Sequence, residues 1–107
     1  MTKKDGTGAL TEAVFYILLV LQNPTHGYGI MQSIDDLTAS RVKLGPGTLY
    51  GALSTLTEKG WIEQIGTVRA KGKKEYVWTD LGLEVLASEV SRLEELLHHA
   101  ATYEKGS

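Results

Sequence analysis

Arg69, Lys71, Lys73 and Lys74 place four cations within six positions of one short stretch. A cluster of that density has one obvious chemistry, attraction of a polyanion, with its ammonium and guanidinium groups able to meet phosphates or enter a minor groove. The formal net charge of −2 argues against such a partner only while the chain is averaged. Divided, it is polar: residues 41–74 carry seven bases and two acids, and residues 75–107 carry seven acids and two bases. A polyanion responds to the local field, so the basic middle is the relevant quantity.

Other chemistries lack their residues. With no cysteine in 107 residues, disulfides, thiolate catalysis and thiolate-bound zinc are removed together, which fits a reducing cytoplasm. His98 and His99 are adjacent, so on a helix they point to different faces, and no third metal ligand is evident. Gly27-x-Gly29 and Gly45-x-Gly47 lack the strand-then-helix setting of a nucleotide fingerprint, so no cofactor is expected. No nucleophile sits beside a base, and catalysis is not expected. The apolar run Val14–Leu21 is far shorter than the roughly 20 residues of a membrane span, and no secretion signal is read at the start.

The elements that would position the basic cluster follow from periodicity. Residues 10–22 read as a first helix, capped by Thr11, stopped by Asn23-Pro24 and apolar on every side, so a second subunit is its expected cover. Ile30, Met31, Ile34 and Leu37 mark a short amphipathic second helix. Gly45-Pro46-Gly47-Thr48 opens a third, with Leu49, Leu53 and Leu56 as its buried stripe and Gly60 as its C-terminal cap. Residues 61–66 and 75–79 read as a hairpin with the basic cluster at its tip, and Trp61 and Trp78 are expected to anchor it to the core. Thr79 or Asp80 then caps a long helix in which Leu83, Leu86, Val90, Leu93, Leu97 and Ala100 recur at alternating steps of three and four. The expected fold is mostly α with a small β-hairpin: a winged helix-turn-helix over 9–79 and a C-terminal dimerisation helix over 80–103, in one domain.

In that order, three groups of residues resemble the PadR family of transcription regulators, in particular its small members with a single C-terminal helix. An apolar first helix precedes His26-Gly27-Tyr28; Gly47-Thr48-Leu49-Tyr50 leads through Leu53 and Leu56 to Gly60-Trp61-Ile62; and Lys73-Lys74-Glu75-Tyr76 leads to Thr79-Asp80-Leu81-Gly82. The resemblance implies a homodimeric repressor, with Tyr50 contacting the DNA backbone or packing beside it, Tyr28 counted with it, and a C-terminal helix that pairs with its partner. Two departures are plain: Gly51 offers no side chain where relatives carry Pro or a longer residue, and the last helix has no Trp to stack a flat ligand.

A recognition helix enters the major groove by its N-terminal turn, where free amides and the helix dipole also favour a phosphate. Gly47 and Thr48 belong to that turn, while Gly51, Ser54 and Thr55 lie opposite the leucine stripe, within reach of base edges or phosphates. With Lys43 and Lys59 added and the wing doubled across a dimer, about 6–10 phosphate contacts and a steep salt dependence are expected. Val14, Ile17, Leu18, Leu21, Leu86, Val90, Leu93 and Leu97 are the expected dimer interface. The expected partner is double-stranded DNA carrying a pseudo-palindromic operator, with half-sites about one helical turn apart. A flat aromatic effector is suggested by Phe15, Tyr16 and the tryptophans. The rival is a winged-helix module that binds protein through the hairpin and last helix, an alternative kept open by the near-neutral recognition helix.

Overall fold

Three of the four helices among the described residues begin where a neighbouring side chain takes up a first-turn amide, the third being the exception. In the computed structural model, which describes residues 9–67 and 74–106, α1 (Glu12–Val20) starts at Thr11, whose Oγ1 accepts from the Val14 amide at 3.1 Å. Its end at Leu21, ahead of Asn23-Pro24, makes it shorter by about a residue or two at each end than the periodicity suggests. β1 (Thr25–His26) leads into α2 (Gly27–Leu37), and His26 Nδ1 accepts from the Gly29 amide at 3.1 Å. The His-Gly-Tyr turn is therefore a helix start capped by an imidazole.

α3 (Pro46–Glu58) has Pro46 in its first turn, where the missing N–H costs nothing. It ends in a complete Schellman motif: Gly60 adopts φ +79°, its amide reaches Thr57 O, and the Trp61 amide reaches Leu56 O, both at 3.0 Å. β2 (Ile62–Thr67) and β3 (Lys74–Trp78) pair antiparallel, Ile62 opposite Trp78 and Gln64 opposite Tyr76, with a register irregularity before Thr67 where Gly66 takes φ +72°. β1 pairs with the other edge of β3, so the sheet has three antiparallel strands in the order β1-β3-β2. Two residues are too few for an alternating pattern, and β1 is not legible in the sequence.

α4 (Asp80–Gly106) is 27 residues and, at 1.5 Å per residue, about 40 Å long. Thr79 joins it to the rest. Its Oγ1 accepts from the Gly82 amide at 3.0 Å and donates to Gly60 O at 2.6 Å, while its amide donates to Trp61 O at 3.0 Å. The end of α3 and the start of α4 are thus locked backbone to backbone, and Gly82 lies so near that a Cβ there would overlap the Trp61 carbonyl.

The core is built from Ile17 and Leu18 of α1, Ile30 and Ile34 of α2, and Leu49, Leu53 and Leu56 of α3, closed by Ile62, Tyr76 and Leu86. This corrects part of the expected dimer interface. Ile17, Leu18 and Leu21 have no exposed surface and Leu86 has 6%, because α2 and α4 of the same chain cover α1. Val14 remains half-buried, and Val90, Leu93 and Leu97 are exposed. No helix among the described residues is long and apolar enough to cross a membrane.

A buried acid fastens the two ends of this arrangement. Glu89 on α4 accepts two hydrogen bonds from Arg92, at 2.7 and 2.8 Å, and a longer one from the Leu10 amide at 3.3 Å. The Arg92 bonds hold its carboxyl below the usual carboxylate value against the opposing effect of burial, and the Leu10 amide adds to the lowering. A depressed folded-state value contributes stability that is fully present above the unfolded value and is lost as pH falls through the folded one. Acid melts should show a decline beginning near pH 4.5 in the native chain. In Glu89→Gln the decline should be shallower, and its stability at pH 7 lower by about 1–2 kcal/mol, since Arg92 remains a third exposed.

Candidate nucleic-acid interface

The N-terminus of α3 is open. Gly45 precedes it and supplies no side-chain cap, and Pro46 has no amide, so the amides of Gly47 and Thr48 point out of the helix at its positive end. Gly47, Thr48, Gly51, Ser54 and Thr55 are all exposed, while Leu49, Leu53 and Leu56 face inward, as a 3.6-residue period requires. The outward face therefore carries amides, hydroxyls and a bare patch of backbone at Gly51. A Cβ at Gly51 would meet nothing within 4 Å, so packing within the chain does not demand glycine there.

The two tyrosines of the expected interface are both exposed. Tyr28, in the first turn of α2, is 62% exposed, and Tyr50 is 49% exposed. Tyr50 lies over Gly27, where any Cβ would collide with its hydroxyl, so the glycine of the His-Gly-Tyr turn makes room for that ring. Near Tyr50, Tyr76 of β3 is nearly buried, and burial, with a contribution from Tyr50, raises its phenol above the ordinary value. At Gly29 a Cβ would run into the Thr25 hydroxyl, which would have to turn away.

The predicted cations divide into four groups. Lys74, at the start of β3, is exposed on the wing. Arg69, Lys71 and Lys73 lie outside the described residues. Lys59, at the C-terminal end of α3, sits over the Trp61 ring with its Nζ 5.2 Å from the centroid, a cation–π placement at the far end of the helix from Gly47. Lys43, in the turn before α3, is bonded to Asp35 Oδ1 at 2.9 Å, and in the same turn Arg41 reaches Glu12 at 2.6 Å and the Tyr16 hydroxyl at 3.4 Å. Neither ion pair is legible in the sequence, because each joins residues brought together only by the folded turn.

A helix pair whose second member has an open, polar N-terminal turn, followed at once by an antiparallel hairpin and a long helix, is a winged helix-turn-helix protein. The profile described as the transcriptional regulator PadR-like family matches residues 17–88, well over half of the chain. The chain belongs to that family, whose members are transcriptional regulators and not enzymes. It is 33% identical over 87 residues to a 37.1 kDa protein in transposon TN4556 of Streptomyces fradiae, matching over 79% of this chain but spanning only about a quarter, 24%, of that protein.

Solved structures carry the same fold. A PadR family transcriptional regulator from Eggerthella lenta superposes with a TM-score of 0.75 at 23% identity, over 89% of this chain and 83% of that one. Bacillus subtilis PadR, whose structure is in complex with operator DNA, superposes with a TM-score of 0.66 at 24% identity, over 74% of this chain and 46% of its own.

Proposed function

We propose that this PadR-like regulator is a homodimeric, sequence-specific DNA-binding repressor that reads the major groove with α3 and grips phosphates with its wing. The observation that carries the reading is the uncapped and exposed N-terminal turn of α3. Its amides suit a phosphate, and Thr48, Ser54 and Thr55 suit base edges or the sugar-phosphate backbone. Operator binding by Bacillus subtilis PadR, a relative in fold, supports the assignment. The exposed Val90, Leu93 and Leu97 on α4 supply the partner contact, and two copies would set two α3 helices on successive major grooves of a pseudo-palindromic site.

Release by a flat aromatic effector belongs to the same reading. An open groove of about 320 Å³, lined in part by Leu10, Val14, Leu56 and Trp61, borders Gly51 and Thr55 of α3, so a ligand there would press on the reading helix.

Fluorescence anisotropy with the duplex upstream of its own coding region, against a scrambled duplex at two salt concentrations, tests the function. Tight binding to the native duplex alone, falling steeply with salt and lost in Lys73→Ala/Lys74→Ala, is the expected result. No binding to either duplex at low salt would leave the protein-interaction module as the better account.

Gly51→Ala separates folding from function at one position. Replacing an unpacked glycine inside a helix should stabilise the chain by about 0.5–1 kcal/mol, raising the melting temperature by about 2–6 °C. The added methyl group stands on the surface that meets DNA, so affinity should fall while stability rises. A variant that melts higher and binds equally well would take Gly51 out of the interface.

A further inference from the structure

We propose that Asp35 limits the DNA affinity of this chain by holding Lys43 away from phosphate, so that the turn between α2 and α3 presents no net positive charge to the duplex. The proposal rests on the DNA-binding reading and assigns Lys43 a different part from the phosphate contact its position suggests. Residues 38–44 hold two cations, Arg41 and Lys43, immediately before the open end of α3, and both are paired with acids of the same chain, Glu12 and Asp35.

The pairing is built into the turn. Ala39 and Ser40 take φ of 52° and 65°, the left-handed region that ordinary side chains rarely enter, and the Ser40 amide donates to Asp35 O at 2.8 Å. Thr38 Oγ1 donates to Ile34 O at 2.9 Å and accepts from the Val42 amide at 3.1 Å, which curls the strand of chain back over the last turn of α2. That curl brings Lys43 to Asp35, whose side chain is only 29% exposed while that of Lys43 is 67% exposed. The carboxyl is held below its ordinary value first by the hydrogen bond from Lys43 and then by one from Ser40, consistent with a carboxylate that serves both.

A lysine whose charge is matched by an internal carboxylate displaces no counterion from DNA, because the pair as a whole is neutral. For Lys43 to move to a phosphate, Asp35 would lose its cation while standing near another anion. Removing the acid charge while keeping the hydrogen-bonding shape, as Asp35→Asn does, frees the lysine.

The test measures binding to a 30-base-pair random duplex by anisotropy between 50 and 200 mM salt, for the unaltered chain, Asp35→Asn, Lys43→Ala and the double variant. Each new phosphate contact steepens the dependence of log affinity on log salt by about 0.9, so two protomers of Asp35→Asn should add about 1.8. Over this fourfold salt range, the affinity gain of Asp35→Asn over the unaltered chain should then be about 12-fold larger at 50 mM than at 200 mM. Lys43→Ala alone should leave the slope where it was, and the double variant should match Lys43→Ala.

An unchanged or shallower slope in folded Asp35→Asn would overturn the proposal. So would a slope reduced by about 0.9 per protomer in Lys43→Ala, since that lysine would already be on a phosphate; this arm can overturn the proposal even if Asp35→Asn does not fold. Absence of any binding by the unaltered chain at 50 mM is a separate pattern and overturns the DNA reading along with this one.

Discussion

Alanine at position 82 is expected to lower the melting temperature by about 10–15 °C, a loss of about 3 kcal/mol or more. The new methyl group would overlap the carbonyl of Trp61, and that oxygen is backbone at a helix-to-strand joint, with no rotamer to give way. Relief requires moving the first turn of α4 off the end of α3, which strains the Thr79 bonds to Gly60 O and Trp61 O and the Gly82 bond to Thr79. Gly51→Ala makes the same chemical change in open space and should move stability the other way, so the two variants control for each other. A melt of Gly82→Ala within 2 °C of the native chain would mean that the two backbones are further apart than described.

Leu93→Asp should convert the protein to folded monomer and reduce DNA affinity by about 100-fold or more. Leu93 is 39% exposed and lies beyond the stretch of α4 docked through Leu86 and Glu89, so a carboxylate there costs the isolated chain little. In the proposed dimer it would be buried against apolar surface without a cation. Two linked reading heads gain orders of magnitude in avidity over one, which is the source of the expected loss on DNA. Light scattering gives the mass and circular dichroism the helix content; an unchanged dimer mass with native helicity would remove α4 from the interface. Leu86→Asp, in contrast, should unfold the chain itself, since that side chain belongs to the core.

The elements that could be read from the sequence are those with enough residues to show a period or a complete cap. α3 declares itself through Pro46, the Leu49-Leu53-Leu56 stripe and Gly60, each of which has the predicted place in the structure. Thr11 caps α1 as its position implies, and of the two candidates for α4, Thr79 and Asp80, Thr79 is the cap. β1 gives no such sign, being two residues long and held in the sheet by Tyr76 and Glu75, some fifty positions away.

Burial was harder to apportion. The apolar run of α1 says that the helix is covered on several sides but not by whose residues, and the covering elements α2 and α4 belong to the same chain. The ion pairs were less legible still. Lys43 meets Asp35 only because Ala39 and Ser40 turn left-handed with no glycine to announce it, and Glu89 meets the Leu10 amide across 79 positions. Of the candidate interface, the hydroxyl face of α3 follows from periodicity, whereas the pairing of its neighbouring cations depends on tertiary structure.

The short strand β1 has a mechanical consequence. Its two residues are bonded to β3, the inner strand of the wing, and one of them, His26, is also the group on which α2 begins. Wing and helix pair are therefore geared together: tilting the hairpin relative to the recognition helix means unzipping β1 or uncapping α2. The head is then a single rigid casting fixed to the root of α4 through Thr79, and in the proposed dimer the distance between two such heads would be set by the angle at which the two α4 shafts cross.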